Sequence, residues 1–311
     1  MLTRLFAREG LDALDPLVAE IMRRLRALGY TGAATETTTT HTHTVVVARP
    51  DGSIHVETDA HPQFAALATM ADCAPRCVYL HGSPGAGKSH AAHGLATSRA
   101  LTYRYVSLSP QSMPSLLFGY MDAQGRYVGT AFRYVYEHGG VICIDEVDNA
   151  NANLLASLNS ALANGIAEFP DGLVERHADC IVIATGNTPG FGPTLAFPER
   201  RPLDRAFRDR FTFLAWHYAP EHEKQIARGL TANRKLADAW VSYVHKVRTY
   251  AAKAYPALTA SPRAIYAGIP LLERGIAPAD VAESVLFQGI ERGVIEKIHA
   301  ACALPTVTVE G

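Results

Sequence analysis

The chain has 311 residues, 48% of them hydrophobic and 19% charged, with a formal net charge of -1. That length buries one large core or two smaller ones, and the composition is that of a soluble globular protein. A chain this close to neutral is not held on nucleic acid by bulk charge alone, although a local basic patch stays open.

The first ten residues are too charged, and their apolar runs too short, for a secretory signal or a membrane span. Five scattered cysteines fit a reduced, cytoplasmic protein. Cys73 and Cys77 form a lone C-x-x-x-C without a second pair, so both are expected to pack beside the first core strand rather than to hold zinc. Asp15-Pro16 reads as a helix cap followed by proline at the first helical position, and Leu17, Val18, Ile21, Met22, Leu25 and Leu28 recur at helical spacing before Gly29. This helix is expected to pack on the main domain. After a threonine-rich stretch, residues 41–58 read as a β-hairpin turning at Pro50-Asp51-Gly52. His41 and His43 share a strand face there, but no acidic or cysteine neighbour completes a metal site, and solvent exposure is expected.

His61-Pro62-Gln63-Phe64 opens a short helix that leads to an apolar strand, Cys77-Val78-Tyr79-Leu80. The next residues, Gly82-Ser83-Pro84-Gly85-Ala86-Gly87-Lys88-Ser89, fit the pattern G-x-x-x-x-G-K-[ST], and an alanine-rich helical stretch follows. Strand, loop and helix are the context in which that pattern binds phosphate. The glycines let successive N–H groups turn toward phosphate oxygens, and the helix N-terminus adds its positive end. Lys88 is the expected neutraliser of the β- and γ-phosphates of ATP, and the Ser89 hydroxyl the expected ligand of Mg²⁺.

A second core strand is expected over 101–108, and residues 117–130 read as a hairpin around Gly125 that emerges from a helical region. Val141-Ile142-Cys143-Ile144 is a buried strand ending in Asp145-Glu146. Downstream of the phosphate loop, that strand delivers Asp145 to the Mg²⁺ shell and sets Glu146 to take a proton from the attacking water. A helix over 152–163 and a second hairpin turning at Pro170-Asp171-Gly172 come next. The strand Ile181-Val182-Ile183-Ala184-Thr185 closes on Gly186-Asn187, where Asn187 reads either as a turn residue or as an amide facing the γ-phosphate or the lytic water.

Residues 198–211 are dense in arginine. They read as a solvated basic helix end or as an arginine presented to a phosphate on a neighbouring subunit. A strand over 211–216 precedes helices in which Trp240, Val241, Val244 and Val247 are spaced as a core face. Ser261-Pro262 opens a further helix, with Ser261 as its cap, and Arg263 then sits in the first turn. A cation is disfavoured there, which points to a functional role.

The order of the phosphate loop, Asp145-Glu146, Asn187, Arg210 and Arg263 resembles an AAA+ ATPase over roughly residues 61–300. In that family's terms these are Walker A, Walker B, sensor 1, arginine finger and sensor 2. The two inserted hairpins are similar to those of the MoxR-like and dynein-related branch, which includes the CobS chelatase and the McrB restriction motors. The runs 118–128 and 169–177 are also similar to AAA proteins of phages and prophages.

The resemblance implies an α/β phosphate-loop core with a five-stranded parallel sheet and a C-terminal helical lid. The expected division is an N-terminal extension over 1–60, a nucleotide-binding domain over 61–218 and a lid over 219–311. It implies ATP hydrolysis in a homohexameric ring, because the finger must reach a neighbour's nucleotide. Arg210 fits the finger best, ahead of Arg208 and Arg205. The expected work is remodelling of a protein partner, with a nucleic-acid motor or an ATP-bound assembly switch as alternatives and no membrane involved.

Overall fold

The structure is a computed structural model that describes residues 45–48, 54–57, 61–195, 197–256 and 258–306. Strand β1 (Val45–Ala48) pairs antiparallel with β2 (Ile54–Glu57), giving the two arms of the expected first hairpin. Its turn, His41, His43 and the helix expected after Pro16 lie outside the described residues.

From there helices and strands alternate. Helix α1 (Phe64–Asp72) precedes β3 (Cys77–His81), and α2 (Lys88–Ser98) leads to β4 (Tyr103–Ser107). A short α3 (Ser115–Phe118) opens into a hairpin of β5 (Tyr120–Met121) and β6 (Tyr127–Val128). Helix α4 (Ala131–His138) returns to β7 (Gly140–Asp145). Helix α5 (Ala152–Asn164) runs into the second hairpin, β8 (Ile166–Phe169) and β9 (Gly172–Glu175), and then comes β10 (Cys180–Gly186). After a short α6 (Arg205–Arg208) and β11 (Thr212–Ala215), five helices follow: α7 (Pro220–Gly229), α8 (Arg234–Ala254), α9 (Pro262–Glu273), α10 (Pro278–Val285) and α11 (Arg292–Ala301).

The central sheet has the order β11-β3-β10-β7-β4, and every neighbouring pair is parallel. Parallel strands need crossovers, and those crossovers cover both faces of the sheet. The apolar runs read from the sequence therefore divide with a period of two. Tyr79, Ile142, Ile144, Val182 and Ala184 face a core with Phe132, Tyr136, Leu154 and Leu158 from α4 and α5. Val78, Leu80, Val141, Cys143, Ile181 and Ile183 face Leu67, Ala91, Ala92 and Leu95 from α1 and α2. In such sheets ligands bind beyond the carboxyl ends of the strands.

The C-terminal helices bury a separate core in which Trp240, Val241, Val244 and Val247 of α8 meet Ile265 and Ile269 of α9. The four residues of α8 are the core face expected from their spacing. Trp240 is fully buried and donates its indole N–H to the Ala264 carbonyl at 3.1 Å. Gly268 lies directly against that indole: a β-carbon there would overlap Nε1 and come within 2.7 Å of Cζ2. Gly268→Ala is thus expected to destabilise these helices by about 1–3 kcal/mol, the range for overpacking a close-packed core. Urea unfolding followed by tryptophan emission measures it, and an unchanged midpoint would mean that the indole yields without strain.

One local expectation is corrected and another is met only in part. Cys73 is exposed, at the end of α1, and only Cys77 packs in the sheet. Ser261 occupies the N-cap of α9, but its hydroxyl makes no capping hydrogen bond. Its side chain is instead turned to the phosphate loop. Among the described residues no helix is long and apolar enough to cross a membrane.

Candidate functional site

The phosphate loop joins β3 to α2, and its conformation depends on glycine. Gly87 at the N-cap of α2 has φ 88° and Gly85 has φ 73°, both in the left-handed region that side chains avoid. Space matters as well at Gly85. A β-carbon there would lie 3.0 Å from Ser261 Cβ and 3.6 Å from Arg263 Cγ. The start of α9 is therefore seated on the loop, which gives a physical reason for a cation in its first turn.

Lys88 is buried, and its ammonium donates to the carbonyls of Gly82 at 2.8 Å and Ser83 at 3.0 Å and to Asn187 Oδ1 at 3.1 Å. Burial lowers its pKa to about 8; Asp145 and Asp148 oppose that shift, and Arg263 and Arg200 add to it. Next to it, Ser89 Oγ donates to Asp145 Oδ2 at 2.8 Å, and the Tyr105 hydroxyl donates to the same oxygen at 2.9 Å. The other Asp145 oxygen accepts from the Thr185 hydroxyl and from the Glu146 N–H, the latter at 3.0 Å. Asp145 is thus fixed by groups from β4, β10 and the loop.

Glu146 has φ 58° and ψ 38°. Left-handed backbone at a residue other than glycine is strained, and such strain persists where the surroundings hold it. Its side chain remains 43% exposed. Asn187, at the end of β10, gives its backbone N–H to Asp148 Oδ2 at 2.9 Å. Thr188 adds its N–H and its hydroxyl to the same oxygen, both at 2.9 Å.

Lys88, Ser89, Asp145, Glu146 and Asn187 therefore meet at the carboxyl ends of β3, β7 and β10, with Arg263 beside the loop. The three finger candidates lie elsewhere. Arg210 Nε donates to Asn159 Oδ1 on α5 at 3.2 Å. The Arg208 guanidinium lies 4.6 Å over the Phe191 ring, and Arg205 is exposed at the start of α6.

Beside the loop is a cavity of about 490 Å³ lined by His61, Gly85, Ala86, Trp216, Tyr218 and Tyr266, among others. That is within the size range of small-molecule sites. The His61 ring stacks on Trp216 with centroids 4.2 Å apart. Burial pushes its pKa down to about 4, so the ring is neutral near pH 7. Nε2 then donates to the His217 carbonyl at 2.8 Å, and Nδ1 accepts the Gln63 N–H at 3.2 Å. Trp216 and Tyr218 also bind the loop itself, donating to the carbonyls of Ala86 at 2.9 Å and Pro84 at 2.8 Å. Sequence reasoning missed His61, Tyr105, Asp148, Thr185, Arg200 and Trp216. Only Asp148 carried a visible signal, as a third carboxylate just after Asp145-Glu146.

Residues 77–211 match the model of the AAA domain, dynein-related subfamily. No curated protein matches the chain. A protein of Cytophaga hutchinsonii described as an ATPase is 18% identical, with 84% of this chain and 92% of that chain covered and a TM-score of 0.43. NtrX of Brucella abortus is 15% identical over 86% of this chain, with a TM-score of 0.50, and the match spans 58% of the NtrX chain. RuvB of Thermotoga maritima, a Holliday junction branch migration motor, is 16% identical over 78% of this chain and 69% of its own, with a TM-score of 0.42. At these identities the likeness is one of fold. With the sheet order, the phosphate loop and the domain match together, the chain carries an AAA ATPase domain of the dynein-related subfamily over residues 77–211.

Proposed function

We propose that the chain is a ring-forming motor that hydrolyses ATP with Mg²⁺ and uses the energy to remodel a protein partner. The observation that carries this reading is the convergence of Lys88, Ser89, Asp145, Glu146 and Asn187 at one end of the sheet. Lys88 and the loop N–H groups bind the β- and γ-phosphates. Ser89 Oγ and Asp145 Oδ2, hard oxygen donors 2.8 Å apart, fit Mg²⁺, which would neutralise charge on the phosphate oxygens. Glu146 accepts a proton from the attacking water, and Asn187 orients that water or the γ-phosphate. Arg263 reaches the phosphates from α9, so that residues 219–311 close as a lid on the nucleotide-binding domain, 61–218, with residues 1–60 as an extension.

A homohexameric ring is supported by the placement of Arg210 on the α5 side, where it serves a neighbouring copy. A protein client is favoured over nucleic acid by the two hairpins. Tyr120 and Met121 on one and Leu173 on the other are exposed, and β8–β9 carries the carboxylates Glu168 and Glu175, while Asp171 in its turn is paired with Arg133. Exposed apolar side chains beside carboxylates suit a polypeptide better than a phosphate backbone.

The test uses Glu146→Gln with ATP. Light scattering should give a mass several times the 33.6 kDa of one chain, and affinity capture should retain a protein only when ATP is present. A monomer with ATP bound would remove the ring, and capture of nucleic acid without protein would remove the remodelling role.

The depressed pKa of Lys88 supplies a second check. In the empty loop Lys88 loses its proton as pH rises through about 8, and bound phosphates restore it. Binding of ADP at pH 9 should therefore take up close to one proton, and affinity should fall by up to about tenfold per pH unit above 8. Calorimetry in two buffers of different ionisation heat reads the uptake directly. Equal binding heats at pH 9 would mean that Lys88 keeps its full charge in the empty loop.

A further inference from the structure

Arg200 is only 6% exposed, in the segment between β10 and α6. Its Nη1 lies 3.5 Å from Glu146 Oε2 and 3.5 Å from Asp148 Oδ1, and its Nε lies 3.4 Å from Glu199 Oε1. Among the described residues neither nitrogen has a hydrogen-bond partner, and neither does Asp148 Oδ1. Burying a guanidinium is expensive, and a pair built for stability would show close, bidentate bonds. Buried donors left unused call for another explanation, and a catalytic role is one.

The surroundings supply one. Asp148 is 1% exposed, and its Oδ2 takes the three hydrogen bonds from Asn187 and Thr188, which leaves Oδ1 to face Arg200. One carboxylate thus fixes both the loop that carries Asn187 and the cation that faces Glu146. Glu146 itself has little else to hold it: its side chain is part-exposed, and Asn149 Nδ2 approaches Oε2 only at 3.5 Å. Glutamate has much rotamer freedom to lose, and a base out of place is an inefficient one.

We infer that Arg200 is a positioning residue, which holds the Glu146 carboxylate in register with the attacking water and couples it through Asp148 to the Asn187 loop. The inference rests on Glu146 being the base. In the empty site the two groups stand at ion-pair distance, and the unused N–H donors of Arg200 are available to the carboxylate as it moves over the nucleotide.

Arg200→Gln alone strands the charge of Asp148, so it is combined with Asp148→Asn, whose carbonyl oxygen still accepts the three bonds from residues 187 and 188. Steady-state hydrolysis of ATP with Mg²⁺ and ADP affinity are measured on the full chain. The double variant should lose about tenfold to a hundredfold in kcat, with ADP affinity and KM within about threefold of the parent. Arg200→Lys, which keeps the charge on a different reach, should recover part of that loss. It carries the test if the double variant does not fold, its own kcat then falling below the parent's at unchanged ADP affinity. In a Glu146→Gln background the same changes should alter the residual single-turnover rate by less than about twofold, because groups that act through one another are not additive.

Parental kcat in the Arg200 variants, with Glu146→Gln inactive, would overturn the inference and leave the base assignment standing. The full loss repeated in the Glu146→Gln background would also overturn it. Glu146→Gln turning over at the parental rate would instead remove the base, and Arg200 as its positioner with it.

Discussion

Arg210→Ala is expected to bind ATP with parental affinity and to hydrolyse it about a thousandfold more slowly, the scale on which arginine fingers act. The two halves of that expectation come from separate observations. Binding survives because Arg210 makes no hydrogen bond or ion pair with the phosphate loop of its own chain; its Nε is engaged with Asn159. Turnover falls because charge developing on a neighbour's γ-phosphate loses its cation. Mixing Arg210→Ala with Lys88→Ala separates action in trans from action in cis. An interface that joins the intact loop of one variant to the intact Arg210 of the other has a complete site, so activity should return although neither parent has it. Subunit exchange and assembly of each variant are the controls. Parental turnover in Arg210→Ala alone would exclude it and make Arg208 the next candidate, then Arg205. Arg208 already packs on exposed Phe191, which would make it a finger only after leaving that ring.

Glu146→Gln is the second large effect: ATP binding and assembly retained, and hydrolysis reduced by about a hundredfold to ten-thousandfold. The amide has the shape of the carboxylate but cannot take the proton of the attacking water. Asp145 would be undisturbed, since it binds the backbone N–H of residue 146 and not its side chain. Stopped-flow or radiolabelled turnover beside an ADP titration checks both parts. Turnover within a few-fold of the parent would take Glu146 out of the base role. A folded variant that had lost ATP binding would make the carboxylate structural.

How much of this was legible in the sequence follows from how local each feature is. The phosphate loop and Asp145-Glu146 are contiguous, and their meaning depends on backbone shape and on the strands before them, both of which leave patterns in the chain. The centre of the sheet was legible for the same reason: β3, β7 and β10, buried on both faces, read as apolar runs, whereas the edge strands β4 and β11 are only partly buried and carry a weaker pattern. Arg200 was not legible. It stands among several arginines in residues 198–211, and what sets it apart is burial against Asp148, more than fifty residues away in the chain. Thr185 was read only as the last residue of a strand, because nothing local shows that its hydroxyl meets Asp145. Ser261 was legible in its position but not in its contacts. It is the N-cap of α9, yet its hydroxyl makes no capping bond, and its side chain lies where a β-carbon on Gly85 would fall. Cys73 failed for a simpler reason, since it lies two residues past Ala71, the last buried position of α1, at the exposed end of the helix.

The tie between the loop and the strand leaving the sheet gives the molecule an optical property of its own. The chain has two tryptophans. Trp240 is sealed in the C-terminal core, whereas the indole N–H of Trp216 is bonded to the Ala86 carbonyl inside the phosphate loop. Indole emission responds to the hydrogen bond and the polarity at that nitrogen, so a loop that reshapes around phosphate changes the signal of Trp216 over a constant background from Trp240. The kinetics of nucleotide arrival and release can thus be followed in the unlabelled protein, with Trp216→Phe as the silent control.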